Sequence, residues 1–201
     1  MAKTEHYYTK FEEGNFYHIY NRTIDKQLMF RSTDNYKFFL KRYHNYISPV
    51  ADIFAFSLLG NHFHLLIRIH ESFVDSKNIN SKSTHDIVSH QFQKFFQSYS
   101  MAFNKQHQRV GTLFQTPFKR ALITDDFYLT QIIYYIHANP QYHRLTSDFK
   151  EWPWSSYKHM LSDKVGELRR QVIDWFGGKE AYQQYHNERI IADIRLNLED
   201  D

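Results

Sequence analysis

Cysteine is absent from the 201 residues, which excludes a disulfide framework and any thiolate-held metal site. A metal bound by this chain must take imidazole, carboxylate or amide ligands. The absence also fits a reducing compartment, so a cytoplasmic setting is expected. Long hydrophobic runs are missing too. No segment approaches 18 uncharged apolar residues, and the opening MAKTEHYYTKFEEGNF lacks the apolar stretch of a signal peptide, so no membrane partner is expected. There is no internal repeat and no low-complexity tract.

A large net charge is lacking as well: the sum is +3, too small to point to nucleic acid by itself. The distribution is more telling. Between Ile87 and Thr124 there is no Asp or Glu, while Lys94, Lys105, Arg109, Lys119 and Arg120 all fall in that window. Acidic residues gather instead near the N-terminus, at Asp125 and Asp126, and in the final LNLEDD.

What is present is core material. Hydrophobic residues make up 42% of the chain, with 18 Phe and 15 Tyr, enough for one large domain, and most of these rings are expected in the interior. NFYHIYNRTI reads as a first strand, followed by a polar turn at Asp25 and Lys26. STDNYKFFLKRYHNYI carries a cap signal and helical spacing through Phe39, Tyr43 and Ile47, with Pro49 beyond. ADIFAFSLL and HFHLLIRI read as two strands joined by a GN hairpin turn. Val88, Phe92, Phe95, Phe96, Tyr99 and Phe103 recur at helical intervals. LFQTPFKRALI follows as a fourth strand, and DDFYLTQIIYYIHAN as a helix stopped by Pro140. The order βαββαβ plus one helix is that of an α+β ferredoxin-like fold, a four-stranded antiparallel sheet with two helices on one face. Beyond it, EWPWSSY is an aromatic irregular segment, and residues 167–194 form two short helices broken at Gly177 and Gly178. Trp152, Trp154 and Trp175 read as packing anchors.

In the third strand Phe63, Leu65, Ile67 and Ile69 alternate with His62, His64, Leu66, Arg68 and His70. The second set faces the side of a ferredoxin-like sheet that its two helices leave open, where a ligand or another element can reach it. Two imidazoles two residues apart on a strand can share one divalent metal. Thirteen histidines in 201 positions nevertheless make about one such pair expected by chance, and an exposed polar face explains the pair equally. An HxHxDH hydrolase is disfavoured, because Leu65, Leu66 and Ile67 follow His64. In the last long helix Gln131, Tyr135 and Asn139 share one stripe at i, i+4, i+8. A phenol there suits a nucleophile beside a metal; packing over the sheet edge suits it too, and Asn139, just before Pro140, also suits a helix cap.

GNHFHLLI, NKQHQRVGTLFQTPFK, YLTQIIYYIHANP and EWPWSSY, in this order and spacing, resemble the single-tyrosine HUH transposases, in particular the REP-associated tyrosine transposase branch. The resemblance spans Phe16 to Tyr157. It implies a catalytic domain over residues 1–160 and a helical C-terminal extension over 161–201. It also implies that Tyr135 is the nucleophile and that His62 and His64 bind Mg²⁺ or Mn²⁺ with Asn139, Gln131 being the alternative third ligand. Tyr134 points about 100° away on a helix. Gly60 departs from the branch, which commonly has proline there. The implied activity is endonucleolytic nicking and strand transfer of single-stranded, hairpin-forming DNA through a 5′-phosphotyrosine intermediate, in DNA transposition and recombination, by a monomer or a homodimer. On that reading Lys94, Lys105, Arg109, Lys119 and Arg120 would track the phosphate backbone, with aromatics between them stacking unpaired bases. The rival reading is a binding regulator of single-stranded DNA or RNA that does not cut.

Overall fold

The computed structural model describes residues 9–71, 82–162 and 166–188. Among them ten strands and α-helices follow in chain order: β1 (Phe16–Arg22), α1 (Thr33–Tyr46), β2 (Ala51–Leu58), β3 (His62–Ile69), α2 (Thr84–Gln106), β4 (Lys119–Ile123), α3 (Asp126–Tyr142), α4 (Tyr157–Leu161), α5 (Glu167–Trp175) and α6 (Lys179–Glu188). The expected last helix ran on to Ile194; its part after Glu188 lies outside the described residues.

The strands pair antiparallel in the order β2-β3-β1-β4, the arrangement the βαββαβ order implies. Strand alternation divides the interior in two. Tyr17, Ile19, Phe63, Leu65 and Ile67 meet Phe39 and Tyr43 of α1 and Val88, Phe92 and Phe95 of α2. On the opposite face Phe54, Leu66, Ala121 and Ile123 meet Ile132, Ile133 and Ile136 of α3, with Tyr157, Val172 and Tyr182 behind them. That face is therefore covered, whereas the sequence pattern suggested an open one. α3 lies on it, and the C-terminal helices lie on α3, so residues 132–140 of α3 are all buried, as befits a helix between two layers.

Two boundaries differ from expectation. β4 begins at Lys119 rather than at Leu113; Pro117 has no N–H to give to a ladder, and residues 113–118 form a loop. α3 does not stop before Pro140 but continues to Tyr142. A proline in the last turn forfeits a single bond, to the carbonyl of Ile136. The helix still closes, with His143 N–H donating to Asn139 O at 2.9 Å and Leu145 N–H to Pro140 O at 2.8 Å. Asn139 therefore sits inside α3 and is not its cap.

A directional hydrogen-bond chain joins α3 to its outer cover. His186 Nδ1 is 2.8 Å from the Tyr182 carbonyl; a carbonyl only accepts, so the proton is on Nδ1 and Nε2 accepts. Nε2 receives the His137 Nδ1–H at 3.1 Å, and His137 Nε2 receives the Ser156 hydroxyl at 2.8 Å. Ser156 Oγ in turn accepts from Phe56 N–H of β2 at 2.9 Å. Burial holds both histidines neutral: His186 is lowered to about 4 and His137 well below its usual value, each first by loss of solvation.

The tryptophans anchor as expected. Trp154 stacks on Tyr36 with centroids 4.3 Å apart, Trp152 donates its indole N–H to Leu58 O at 3.0 Å, and Trp175 stacks on Phe54 at 5.2 Å.

Candidate active site

β1 and β3 are neighbours, with Tyr20 opposite His64 and Arg22 opposite His62. Cross-strand partners share a face, so His18, Tyr20, His62 and His64 all point towards α3. From α3, Tyr135 comes down on them. Its ring is edge-on to His64 at 5.6 Å and to His18 at 5.9 Å. Tyr134 turns to the other side, fully buried against Phe149, Tyr185 and His186. Helical spacing separates the two tyrosines, and the structure gives them different surroundings.

The stripe of Tyr135 continues to Asn139 and, one turn on, to His143, whose ring lies 4.5 Å from that of His62. Asn139 is thus between a tyrosine that faces His64 and a histidine that faces His62. It is 1% exposed, and neither its amide oxygen nor its amide nitrogen has a hydrogen-bond partner within the protein. Ser57, paired with His64 across β2 and β3, has a buried hydroxyl in the same condition. Two such groups on the histidine face leave polar atoms that a polar guest could satisfy, since leaving a buried amide unsatisfied costs about 1–3 kcal/mol. Gln131, one turn before Tyr135, is only half-buried.

Both histidines have one ring nitrogen engaged. Asn61 Nδ2 donates to Lys26 O at 3.1 Å, which turns its Oδ1 towards His62 Nδ1, 2.6 Å away. An amide oxygen only accepts, so His62 carries its proton on Nδ1 and would bind a metal through Nε2. His64 Nδ1 is 3.0 Å from His18 Nε2. Outer partners on Nδ1 are the usual company of metal-binding imidazoles. Among the described residues no three His, Asp or Glu side chains gather as a ready-made metal cage; a cation here would rest on two imidazoles and the Asn139 amide. The amide oxygen suits Mg²⁺ or Mn²⁺ in kind, and the two neutral imidazoles suit Mn²⁺ better than Mg²⁺.

The five cations of the acid-free window do not converge. Lys94 and Lys105 are exposed on α2, which packs on the opposite face of the sheet. Arg109 binds its own loop, donating to Asn104 Oδ1 at 2.9 Å and Thr112 O at 2.8 Å. Arg120 is buried, with its guanidinium over Phe11 and Phe118 at 5.0 and 5.2 Å and its Nε donating to Thr9 O. Lys119 is on the histidine face, over the Tyr20 ring at 5.4 Å, and Tyr20 in turn stacks on His18 at 4.8 Å. Of the aromatics between these cations, Phe95, Tyr99, Phe103 and Phe114 are core residues.

Sequence reasoning passed over His18, Asn61 and His143. His18 was within reach, since it alternates with Tyr17 and Ile19 as His64 alternates with Phe63 and Leu65. Asn61 and His143 carry no pattern that marks them.

No family model matches the chain, and no curated protein matches it. Among solved structures, the chain resembles a REP-associated tyrosine transposase bound to a REP hairpin, with a TM-score of 0.54 and 14% identity over 81% of this chain and 88% of that one. The likeness is one of fold: an α+β protein with, among the described residues, a four-stranded antiparallel sheet and six α-helices. Among the described residues, no helix is long and apolar enough to cross a membrane.

Proposed function

We propose that this protein nicks single-stranded DNA in a metal-dependent reaction and transfers the strand, acting at hairpin-forming repeats through a phosphotyrosine intermediate. The observation that carries the reading is the placement of Tyr135 against His64, with the buried Asn139 amide one helical turn further along the same stripe. The fold shared with a hairpin-bound tyrosine transposase supports it.

In this reading the Tyr135 oxygen, buried in the DNA-free protein, attacks the scissile phosphorus once the strand enters and gives its proton to a water that enters with it. The P–O3′ bond breaks, and the departing 3′ oxygen takes up a proton as a hydroxyl. The 5′ end stays on Tyr135 as a phosphodiester, which preserves the energy of the broken link, so a second 3′-OH reverses the step without a nucleotide cofactor. A divalent cation, when bound by His62, His64 and Asn139, supplies Lewis-acid polarisation of the phosphate. Rigid strands hold the imidazoles, and a helix buried on both sides holds the phenol, so the nucleophile is positioned before substrate arrives. Lys119 is the candidate phosphate contact on this face, and Lys94 and Lys105 are candidates for the DNA further out.

The test is incubation with end-labelled single-stranded hairpin DNA and Mn²⁺, followed by a denaturing gel. A covalent adduct that needs both Tyr135 and the cation is expected. DNA binding with no adduct on any hairpin would favour the regulator that binds without cutting.

A further inference from the structure

We propose that His18 is a positioning residue that sets the tautomer of His64, so that His64 presents Nε2 to the cation. The inference rests on the reading of His62 and His64 as metal ligands and adds a residue to it.

His18 lies on β1, the strand between β3 and β4. It is fully buried, its ring lies parallel to Tyr20 at 4.8 Å and 17°, and its Nε2 is 3.0 Å from His64 Nδ1. Two neutral imidazoles at that distance share one proton between the facing nitrogens, and two arrangements are open. If His18 donates from Nε2, the proton of His64 sits on Nε2 and that nitrogen has no lone pair to offer. If His18 accepts at Nε2, His64 is protonated on Nδ1 and its Nε2 lone pair points to the site. Asn61 imposes the second arrangement on His62. A pair of ligands that act together needs the same state in both rings, and the nitrogen that faces His64 Nδ1 at 3.0 Å is His18 Nε2. His18 also meets the Tyr135 ring edge-on, so one side chain on a central strand braces a ligand and the nucleophile together. A merely space-filling role would be served by any ring of this size; the nitrogen facing His64 is what such a role leaves unexplained.

The experiment uses the whole protein without DNA. ¹⁵N spectra of the imidazoles in the metal-free protein should show His64 protonated on Nδ1. Calorimetric titration with Mn²⁺ should show His18→Phe, which keeps a ring beside Tyr20 but has no acceptor, binding about 10- to 100-fold more weakly. His18→Gln, whose Oε1 replaces the lost acceptor, should recover most of that loss. A wild-type His64 protonated on Nε2 overturns the inference, and this measurement stands even if His18→Phe fails to fold. Equal Mn²⁺ affinity in wild type and His18→Phe overturns it while leaving the metal reading intact. No Mn²⁺ binding by the wild type removes the metal reading and the inference with it.

Discussion

The ring of Tyr135 stands edge-on to that of His64, centroids 5.6 Å apart and planes 85° apart, while its neighbour Tyr134 faces the C-terminal helices. Substituting each in turn should separate chemistry from stability. Tyr135→Phe is expected to abolish the covalent adduct on a denaturing gel with little change in melting temperature. Tyr134→Ala should cost roughly 3–5 kcal/mol by denaturant unfolding, the usual range for a large aromatic removed from a core. An adduct that survives Tyr135→Phe would sink the assignment of the nucleophile.

Asn139 offers a sharper division. Its amide is buried without a partner in the protein, so an apolar residue of similar size relieves a cost instead of opening a cavity. Asn139→Leu is expected to leave the melting temperature unchanged or raise it by a few degrees, about what 1 kcal/mol is worth in a chain of this size. The same substitution should weaken Mn²⁺ binding at least tenfold, by calorimetry. Loss of stability together with unchanged Mn²⁺ binding would show that the amide is a structural residue.

The His137–His186 pair predicts acid sensitivity. Both groups are held neutral in the folded protein, His186 down to about 4, whereas the unfolded chain protonates them near 6.5. Between those values the unfolded state binds more protons, so stability is complete above about pH 6.5 and falls as pH drops towards 4. For His186 alone the loss is on the order of 3 kcal/mol. Denaturant midpoints measured between pH 7 and 4 check this, and His186→Gln, whose amide oxygen can accept from His137, should flatten the curve. A midpoint independent of pH would mean that the pair is solvated.

Lys119 and Arg120 are adjacent, yet the sheet points them to opposite faces. Lys119→Ala should weaken single-stranded DNA binding and reduce the slope of log affinity against log salt by about 0.7, the value of one phosphate contact. Arg120→Ala should leave that slope alone and destabilise the fold by roughly 1–3 kcal/mol, through lost packing on Phe11 and Phe118. Salt-dependent binding curves and melts of the two variants decide it.

Much of this was legible in the chain itself. Period-two alternation in β1 and β3 and period-3.6 spacing in α1 and α2 are consequences of where a strand or helix must bury apolar surface, so order and fold class follow. The same alternation put His62 with His64, and the helical repeat put Tyr135 with Asn139, because both pairs lie within single elements. Local sequence had no means of bringing those elements together. That α3 crosses the sheet face opposite α1 and α2, and so sets Tyr135 on His64, depends on the C-terminal helices covering it. Nor does a run of like charge say which side of a sheet each member takes. Arg120 is structural and Lys119 faces the site because successive residues of a strand point in opposite directions, and only pairing with β1 decides which of them looks towards the histidines. His18 became part of the site for the same reason: residues 46 positions apart in the chain share a hydrogen bond only once β1 and β3 lie side by side.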